Sequence, residues 1–166
     1  MPRIGLLSDS HGWADTTRVG VDILLDHGAQ MLLHMGDICG MDVLEALMAD
    51  NVEAHIVFGN VDWDADSLGR YAKELGITVQ DPIGQIELDD GRRINFMHGH
   101  DTTGMVRVLS EQPAYLCLGH SHLQRDERIG ATRVINPGAL FRAAEYSVAL
   151  LDTDSDELAF HTVEKP

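Results

Sequence analysis

Lysine is almost missing from this chain of 166 residues: Lys73 and Lys165 are the only two, and arginine and lysine together number 12 against 27 acidic residues. The formal net charge is -15. Such a surface lacks the positive stripe that nucleic acid needs, which excludes bulk nucleic-acid binding, and it repels anionic membranes as well. The bias leaves both a salt-adapted surface and a skewed genome open. A small anionic substrate is compatible with it only where a local positive centre overcomes the global field. Cysteine is nearly missing too. Cys39 and Cys117 do not make a disulfide framework. Cys117 lies in an apolar run and reads as a small core residue. Cys39, in Asp37-Ile38-Cys39-Gly40, reads as packing beside a candidate ligand before it reads as a ligand. No apolar run approaches the roughly 20 residues that span a bilayer. No positive stretch followed by a long apolar core precedes Arg3-Ile4-Gly5-Leu6-Leu7-Ser8, so no secretory signal is expected and a cytoplasmic location is the default. Linkers, repeats and low-complexity segments are also missing. Residues 1–166 are therefore expected to form one domain, long enough to bury roughly two-thirds of its unfolded surface.

What is present is a rhythm. Residues 3–8 read as a short buried strand, followed by a helix from about Asp15, a plausible N-cap, to the stop at Gly28. A strand at 30–35 leads to a helix at 41–49, with Val43, Leu44, Leu47 and Met48 on one face. A strand at 53–58 leads to a helix at 66–75. Strand–helix three times over implies parallel strands joined by right-handed crossovers. The second half is richer in strands. Residues 85–88 and 93–97 flank Asp89-Asp90-Gly91-Arg92, a hairpin signal. A short helix follows with Met105, Val106 and Leu109 on one side, then a strand at 114–118. Residues 124–129 and 131–135 form a hairpin around Gly130, Asn136-Pro137-Gly138-Ala139 makes a turn, and strands at 146–151 and 157–163 close the chain.

Five of these apolar strands each end in residues able to hold a metal: Asp9 with His11, Asp37, Asn60, His98, and His120 with His122. Each has a bland reading alone, as a turn or a surface histidine. Sites in sheets with parallel strands form outside the carboxyl ends of the strands, where loops bring distant residues together. It is the joint occurrence at successive strand ends that favours a site. Carboxylate, amide and imidazole suit a borderline divalent transition metal such as Mn, Fe, Co, Ni or Zn. Seven ligands are too many for one ion with open positions, and suit two ions sharing one carboxylate. His120 and His122, two apart, face the same side if the backbone there stays extended. His34 and His55 sit inside strands as core or sheet-face residues, and His27 closes a helix, where its charge suits the dipole.

The order Asp9-x-His11, Gly36-Asp37, Gly59-Asn60, His98, Gly119-His120-x-His122 resembles the calcineurin-like metallophosphoesterases. The match runs from Asp9 to Asn136-Pro137-Gly138, and the length resembles the small single-domain phosphodiesterase branch. The resemblance implies an α/β fold, a four-layer sandwich of two mixed β-sheets flanked by helices. It implies two divalent ions, manganese foremost: one on Asp9, His11 and His122, the other on Asn60, His98 and His120, with Asp37 bridging. His98 takes the ligand role ahead of His100 because it holds the first position of the family's His-Gly-His. The implied reaction is hydrolysis of a small phosphodiester by attack of a metal-bridging hydroxide, with Asp37, Asn60 and His98 in the catalytic centre. Many family members carry a histidine directly after Gly-Asn; here Val61 stands there, leaving Asp62 and His100 as candidates for the general acid. Asn136 is expected to order nearby backbone and Arg142 to reach the substrate. Four positive charges against the two of Asp9 and Asp37 leave a net positive centre facing the substrate. A phosphomonoesterase and a non-catalytic scaffold similar to the retromer subunit of this fold are the alternatives, and a homo-oligomer is left open. A mononuclear amidohydrolase, which also uses His-x-His, is excluded by length, since such barrels need about 250 residues.

Overall fold

Side chains on a strand alternate between faces, and here both faces of the first strand are buried. In the computed structural model, which describes residues 2–165, β1 (Arg3–Leu7) sends Ile4 and Leu6 into one core and Leu7 into another. Strands buried on both sides need a layer on each side, and the elements supply them. The first half alternates β1, α1 (Ala14–Asp26), β2 (Met31–His34), α2 (Met41–Ala46), β3 (Glu53–Ile56), α3 (Ala65–Glu74) and β4 (Thr78–Val79). The second half runs β5 (Ile83–Glu87), β6 (Arg93–Met97), α4 (Thr102–Ser110), β7 (Tyr115–Cys117), β8 (Gln124–Ile129), β9 (Thr132–Pro137), β10 (Tyr146–Asp152) and β11 (Glu157–Val163).

Two mixed sheets result, in the orders β11-β10-β1-β2-β3-β4 and β5-β6-β7-β9-β8. β1 to β4 are parallel, as the strand–helix rhythm implies, and β6, β7 and β9 are parallel in the second sheet. Ile4, Leu6, Leu33 and Met35 of the first sheet pack against Ile94, Phe96, Cys117 and Ile135 of the second. Val21, Leu24 and Leu68 cover the outer face of the first sheet, and Val108 with Met105 and Leu109 covers that of the second. This is the expected four-layer sandwich. No helix among the described residues is long and apolar enough to cross a membrane.

The local differences have physical causes. Asp15 is not the N-cap of α1; it sits in the first turn, where its carboxylate suits the helix dipole, and Trp13 holds the cap position. α2 stops at Ala46, ahead of the isolated Ala49–Val52 bridge, which turns Met48 outward to 39% exposure. Val106 is 68% exposed, because Val108, not Val106, falls on the buried face of α4. Asn136 and Pro137 extend β9 instead of forming a turn, paired with Arg125 and Gln124 of the edge strand β8. The two-residue β4 has no alternation to read.

One contact fixes two neighbouring strands, and one cluster ties the two sheets. Gly84 lies directly opposite Phe96, and a Cβ there would meet the ring at 2.1 Å, so the aromatic covers the glycine of its neighbouring strand. At the ends of the strands away from the candidate site, Arg133 of β9 pairs with Asp126 of β8 at 2.7 Å and with Asp156, in the turn between β10 and β11, at 3.0 Å. That cluster ties one sheet to the other. Arg133 holds Asp126 below the usual carboxylate range against a smaller effect of burial. Burial raises Asp156, but hydrogen bonds from Tyr115 and Arg133 outweigh it and leave the carboxyl lowered.

Gly84→Ala is expected to overpack the Phe96 contact and lower the unfolding free energy by about 1–3 kcal/mol in urea titration. The contribution of Asp126 and Asp156 is fully present above the ordinary carboxylate pKa of about 3.9 and is lost as pH falls through their lowered values. Arg133→Met should therefore lower thermal stability at neutral pH and flatten its decline on the acid side, read from melting temperatures between pH 7 and 2.

Candidate metal centre

The carboxyl ends of β1, β2 and β3 lie side by side in one sheet, and those of β6 and β7 in the other. The loops that leave them are laced together by their backbones. Asp9 N–H donates to Gly36 O at 3.0 Å, His11 N–H to Asp37 O at 2.8 Å, and Gly119 N–H to His98 O at 2.9 Å. Two bonds cross from sheet to sheet: His120 N–H to Asp9 Oδ2 at 3.0 Å, and His98 Nδ1 to Met35 O at 2.7 Å. Such close approach has steric requirements. A Cβ on Gly59 would lie 2.0 Å from Asp37 Oδ1, and one on Gly119 would lie 1.9 Å from Ser8 Oγ.

The backbone is left-handed at Asp9, His11, Asp37, His120 and His122, with φ of 56°, 46°, 54°, 67° and 58°. Non-glycine residues adopt this conformation at a cost and keep it where the surroundings impose it. At His120 and His122 it breaks strand alternation, so the same-side arrangement of an extended chain does not occur. The His120 ring lies 5.1 Å from that of His98, and the His122 ring lies 5.3 Å from that of His11.

The side chains then form two overlapping groups, Asp9–His11–His122 and Asp9–Asp37–His98. His122 Nε2 is 3.2 Å from Asp9 Oδ1, and Asp37 Oδ2 lies 3.4 Å from His11 Nε2 and 3.3 Å from His98 Nε2. His98 Nε2 also lies 3.0 Å from Asn60 Oδ1. The tautomers make this arrangement unusual. His98 Nδ1 faces the Met35 carbonyl and His122 Nδ1 faces that of Arg142 at 3.3 Å, so both must donate there. In the neutral rings, each Nε2 then points a lone pair at oxygens that also carry only lone pairs. Asp9 Oδ1 and His11 Nε2 are buried without a hydrogen-bond partner, although charged groups stand close by. These atoms aim at shared points more than at one another. Ligands about 2.0–2.2 Å from an ion stand about 3.0–3.4 Å apart, and the contacts of His122 with Asp9 and of Asp37 with His11 and His98 have that spacing, while His11 Nε2 stands 3.8 Å from Asp9 Oδ1. Donating the second imidazole nitrogen to a backbone carbonyl is also how metal-bound histidines are held. The residues fit divalent metal.

The titration of the metal-free groups shows the same demand for a cation. Burial lowers His98, but the hydrogen bond and charge of Asp37 outweigh it and raise its pKa. The hydrogen bond to Asp9 raises that of His122. Burial raises Asp37, and contact with His98 outweighs it, leaving the carboxyl lowered. His11 and His120 are lowered, chiefly by burial.

Around this centre stand residues that hold it in place. His34, wholly buried, accepts from Gly36 N–H at Nδ1 (3.2 Å) and so donates from Nε2 to Ser10 Oγ at 2.8 Å. The Ser10 hydroxyl is 2.9 Å from that of Thr17, which also bonds the Trp13 carbonyl. Burial pushes the His34 pKa down to about 4, so the ring is neutral and pins the residue between Asp9 and His11. This role was invisible in the sequence, where the only hint is a polar ring in an apolar strand just ahead of Gly36-Asp37. Asn136 donates to Gly119 O at 2.7 Å and Ser121 Oγ at 3.1 Å, ordering the His120 loop as expected. Asp62, one of the two candidates for the general acid, is buried with its oxygens accepting from Cys39 N–H at 2.8 Å and Gly59 N–H at 2.7 Å, and burial outweighs those bonds and raises its pKa. It clamps the loops that carry Asp37 and Asn60. His100 is exposed, its ring 5.4 Å from that of His98. Cys39, exposed, lies outside both groups, and partial desolvation with the charges of Asp62 and Asp37 pushes its pKa up to about 12, keeping it a thiol.

Next to His11 a cleft of about 640 Å³ opens between the loops, bordered by Val61, Trp63, Phe141 and Arg142. The Phe141 ring is 5.1 Å from the His11 ring, and the Arg142 guanidinium stands 5.1 Å from the Phe141 ring centre.

Comparison with known proteins finds relatives that span most of the chain. The family model described as the calcineurin-like phosphoesterase superfamily domain matches residues 2–156. A phosphodiesterase of Methanocaldococcus jannaschii is 26% identical over 161 residues, covering 93% of this chain and 95% of the relative. A probable metallophosphoesterase of Mycoplasma pneumoniae is 29% identical over 150 residues, covering 84% and 80%. The solved structure of an archaeal phosphodiesterase shares the fold, with a TM-score of 0.88 at 23% identity over 97% of this chain and 99% of its own.

Ser10→Ala removes the acceptor of a buried N–H and is expected to lower the unfolding free energy by about 1–3 kcal/mol in urea titration. Asp62→Asn turns an N–H donor towards a backbone N–H and should cost a similar amount; unchanged stability would return Asp62 to a proton-transfer role.

Proposed function

This chain belongs to the calcineurin-like phosphoesterase superfamily, in its small phosphodiesterase branch, and we propose that it hydrolyses a small phosphodiester at a centre built for two divalent ions. The observation that carries this reading is the pair of imidazoles, His98 and His122, whose Nδ1 atoms are committed to carbonyls while Nε2 faces the oxygens of Asp37 and Asp9. Asp9, His11 and His122 would hold one ion, and Asn60, His98 and His120 the other. Asp37 is suited to the bridge because its Oδ2 stands almost equally far from His11 and His98.

Two such ions, manganese foremost, would supply Lewis acidity to polarise a phosphoryl group and acidify water near neutral pH. The chain's own residues do the rest. Asp9 and Asp37 return only two negative charges, so the loaded centre attracts an anion despite the acidic surface. Backbone donors Val61 N–H, on Asp37 Oδ1 at 3.1 Å, and His120 N–H, on Asp9 Oδ2, fix which carboxylate oxygen faces inward. Arg142, which lines the cleft beside His11, is the cation that would meet a non-reacting phosphate oxygen. Val61 can hand over no proton and Asp62 is held by backbone amides, so His100 is the exposed ring left to protonate the leaving oxygen. The name of the 26% identical relative supports a diester over a monoester.

The test strips metal, restores Mn²⁺ or Ni²⁺, and assays bis(4-nitrophenyl) phosphate beside 4-nitrophenyl phosphate. The diester is expected to be hydrolysed faster, and preference for the monoester would correct the substrate class. Asp37→Asn should lose about 100-fold or more in rate and bind less metal. No hydrolysis with either substrate under any metal would leave the fold with a binding role alone.

A further inference from the structure

We infer that the cleft beside His11 seats a nucleoside, so that the diester is a nucleotide ester; this rests on the phosphodiesterase reading above. At about 640 Å³ the cleft falls within the roughly 300–1,000 Å³ of small-molecule sites, more room than a phosphoryl group needs. It begins one ring away from the candidate centre, since Phe141 packs on His11. A phosphate at the centre therefore has one ester arm within reach of the cleft.

The chemistry of the walls selects that arm. Met41, Val61, Leu68 and Phe141 line the cleft, so its walls are largely alkyl and aromatic. Trp63 also lines it and is 88% exposed, a flat apolar surface left in water beside a charged centre. A planar base stacks on such a face whatever its identity. The polar groups separate a nucleoside from a plain apolar arm. Asp64 borders the cleft at the N-cap position of α3, yet its side chain makes no cap bond and has no ion-pair partner among the described residues. It is an acceptor open to a ribose hydroxyl or an exocyclic amine. Arg142 likewise has no carboxylate partner among the described residues and offsets the charge of the phosphate. Asp64 is exposed, so a nucleoside would exchange its water for a hydroxyl or amine, an exchange that an aryl or alkyl arm does not offer.

The test uses the metal-loaded protein and two readouts. In one, three diesters share a 4-nitrophenolate leaving group and differ in the other arm: thymidine 5′-yl, phenyl and methyl. The nucleoside diester should exceed the methyl diester in kcat/KM by about tenfold, the size of one base–aromatic stack, and Trp63→Ala should bring that ratio down towards one. Asp64→Asn should lower it without abolishing the preference. A phenyl diester as good as the nucleoside diester, or a ratio that Trp63→Ala leaves unchanged, would overturn the assignment. The second readout is independent of turnover. In Trp13→Phe, Trp63 is the only tryptophan, and its fluorescence is titrated with AMP, ribose 5-phosphate and phenyl phosphate. Saturable quenching by AMP, about tenfold tighter than by the other two, supports the nucleoside seat even if no diester is hydrolysed, in which case the hydrolase reading alone falls. Absent quenching, or equal affinity for ribose 5-phosphate or phenyl phosphate, overturns the seat whether or not hydrolysis occurs.

Discussion

Lone pairs facing lone pairs are the constraint on which the rest of this structure depends. Asp9 and Asp37 are buried where the two sheets meet, and two of the imidazoles around them, His98 and His122, have spent an N–H on a backbone carbonyl. Buried acceptors turned towards one another cost free energy unless a cation stands between them. Protons supply part of that charge, which is why His98 and His122 are raised while Asp37 is lowered. Divalent metal would supply more of it from fewer particles. The rings of His98 and His122 are aimed by their second nitrogens, so the demand is built into the fold.

Holding five side chains in that arrangement requires a backbone that ordinary loops avoid. Five candidate ligands are left-handed, glycines admit contacts that a Cβ would block, and His34, Ser10, Asp62 and Asn136 hold the loops from behind. The strain is concentrated at one end of the sandwich. The other end is tied by Arg133, Asp126 and Asp156, whose bonds join the sheets. A rigid frame thus carries a strained rim, and the proposed chemistry and the cleft both lie on the rim.

The strand–helix rhythm of the first half was legible because each strand is bounded by Gly, Asn or Asp and each helix shows a 3.6-residue stripe. The hairpin around Asp90-Gly91 was legible for the same local reasons, and the candidate ligands because each follows an apolar run. Met48 and Val106 were misplaced because apolar residues near a helix end satisfy several phases equally well. Asn136-Pro137 looked like a turn because proline usually breaks a strand, yet β9 pairs there with an edge strand that tolerates it. Asp62 was named only as a candidate for the general acid, because nothing in its sequence neighbourhood reveals that its partners are backbone amides of two loops.

His120 and His122 mark the boundary between the two kinds of information. Their chemistry, their position after a buried strand and their company of strand-end aspartates were determined by the sequence alone, since these follow from residue type and spacing. Which neighbour each ring meets was decided only by the tertiary structure. The left-handed turns at both residues are imposed by contacts from elsewhere in the chain, among them Asp9, 111 residues away, accepting the His120 amide. Local periodicity places a side chain relative to its own strand, and only packing between strands places it relative to the rest of the site.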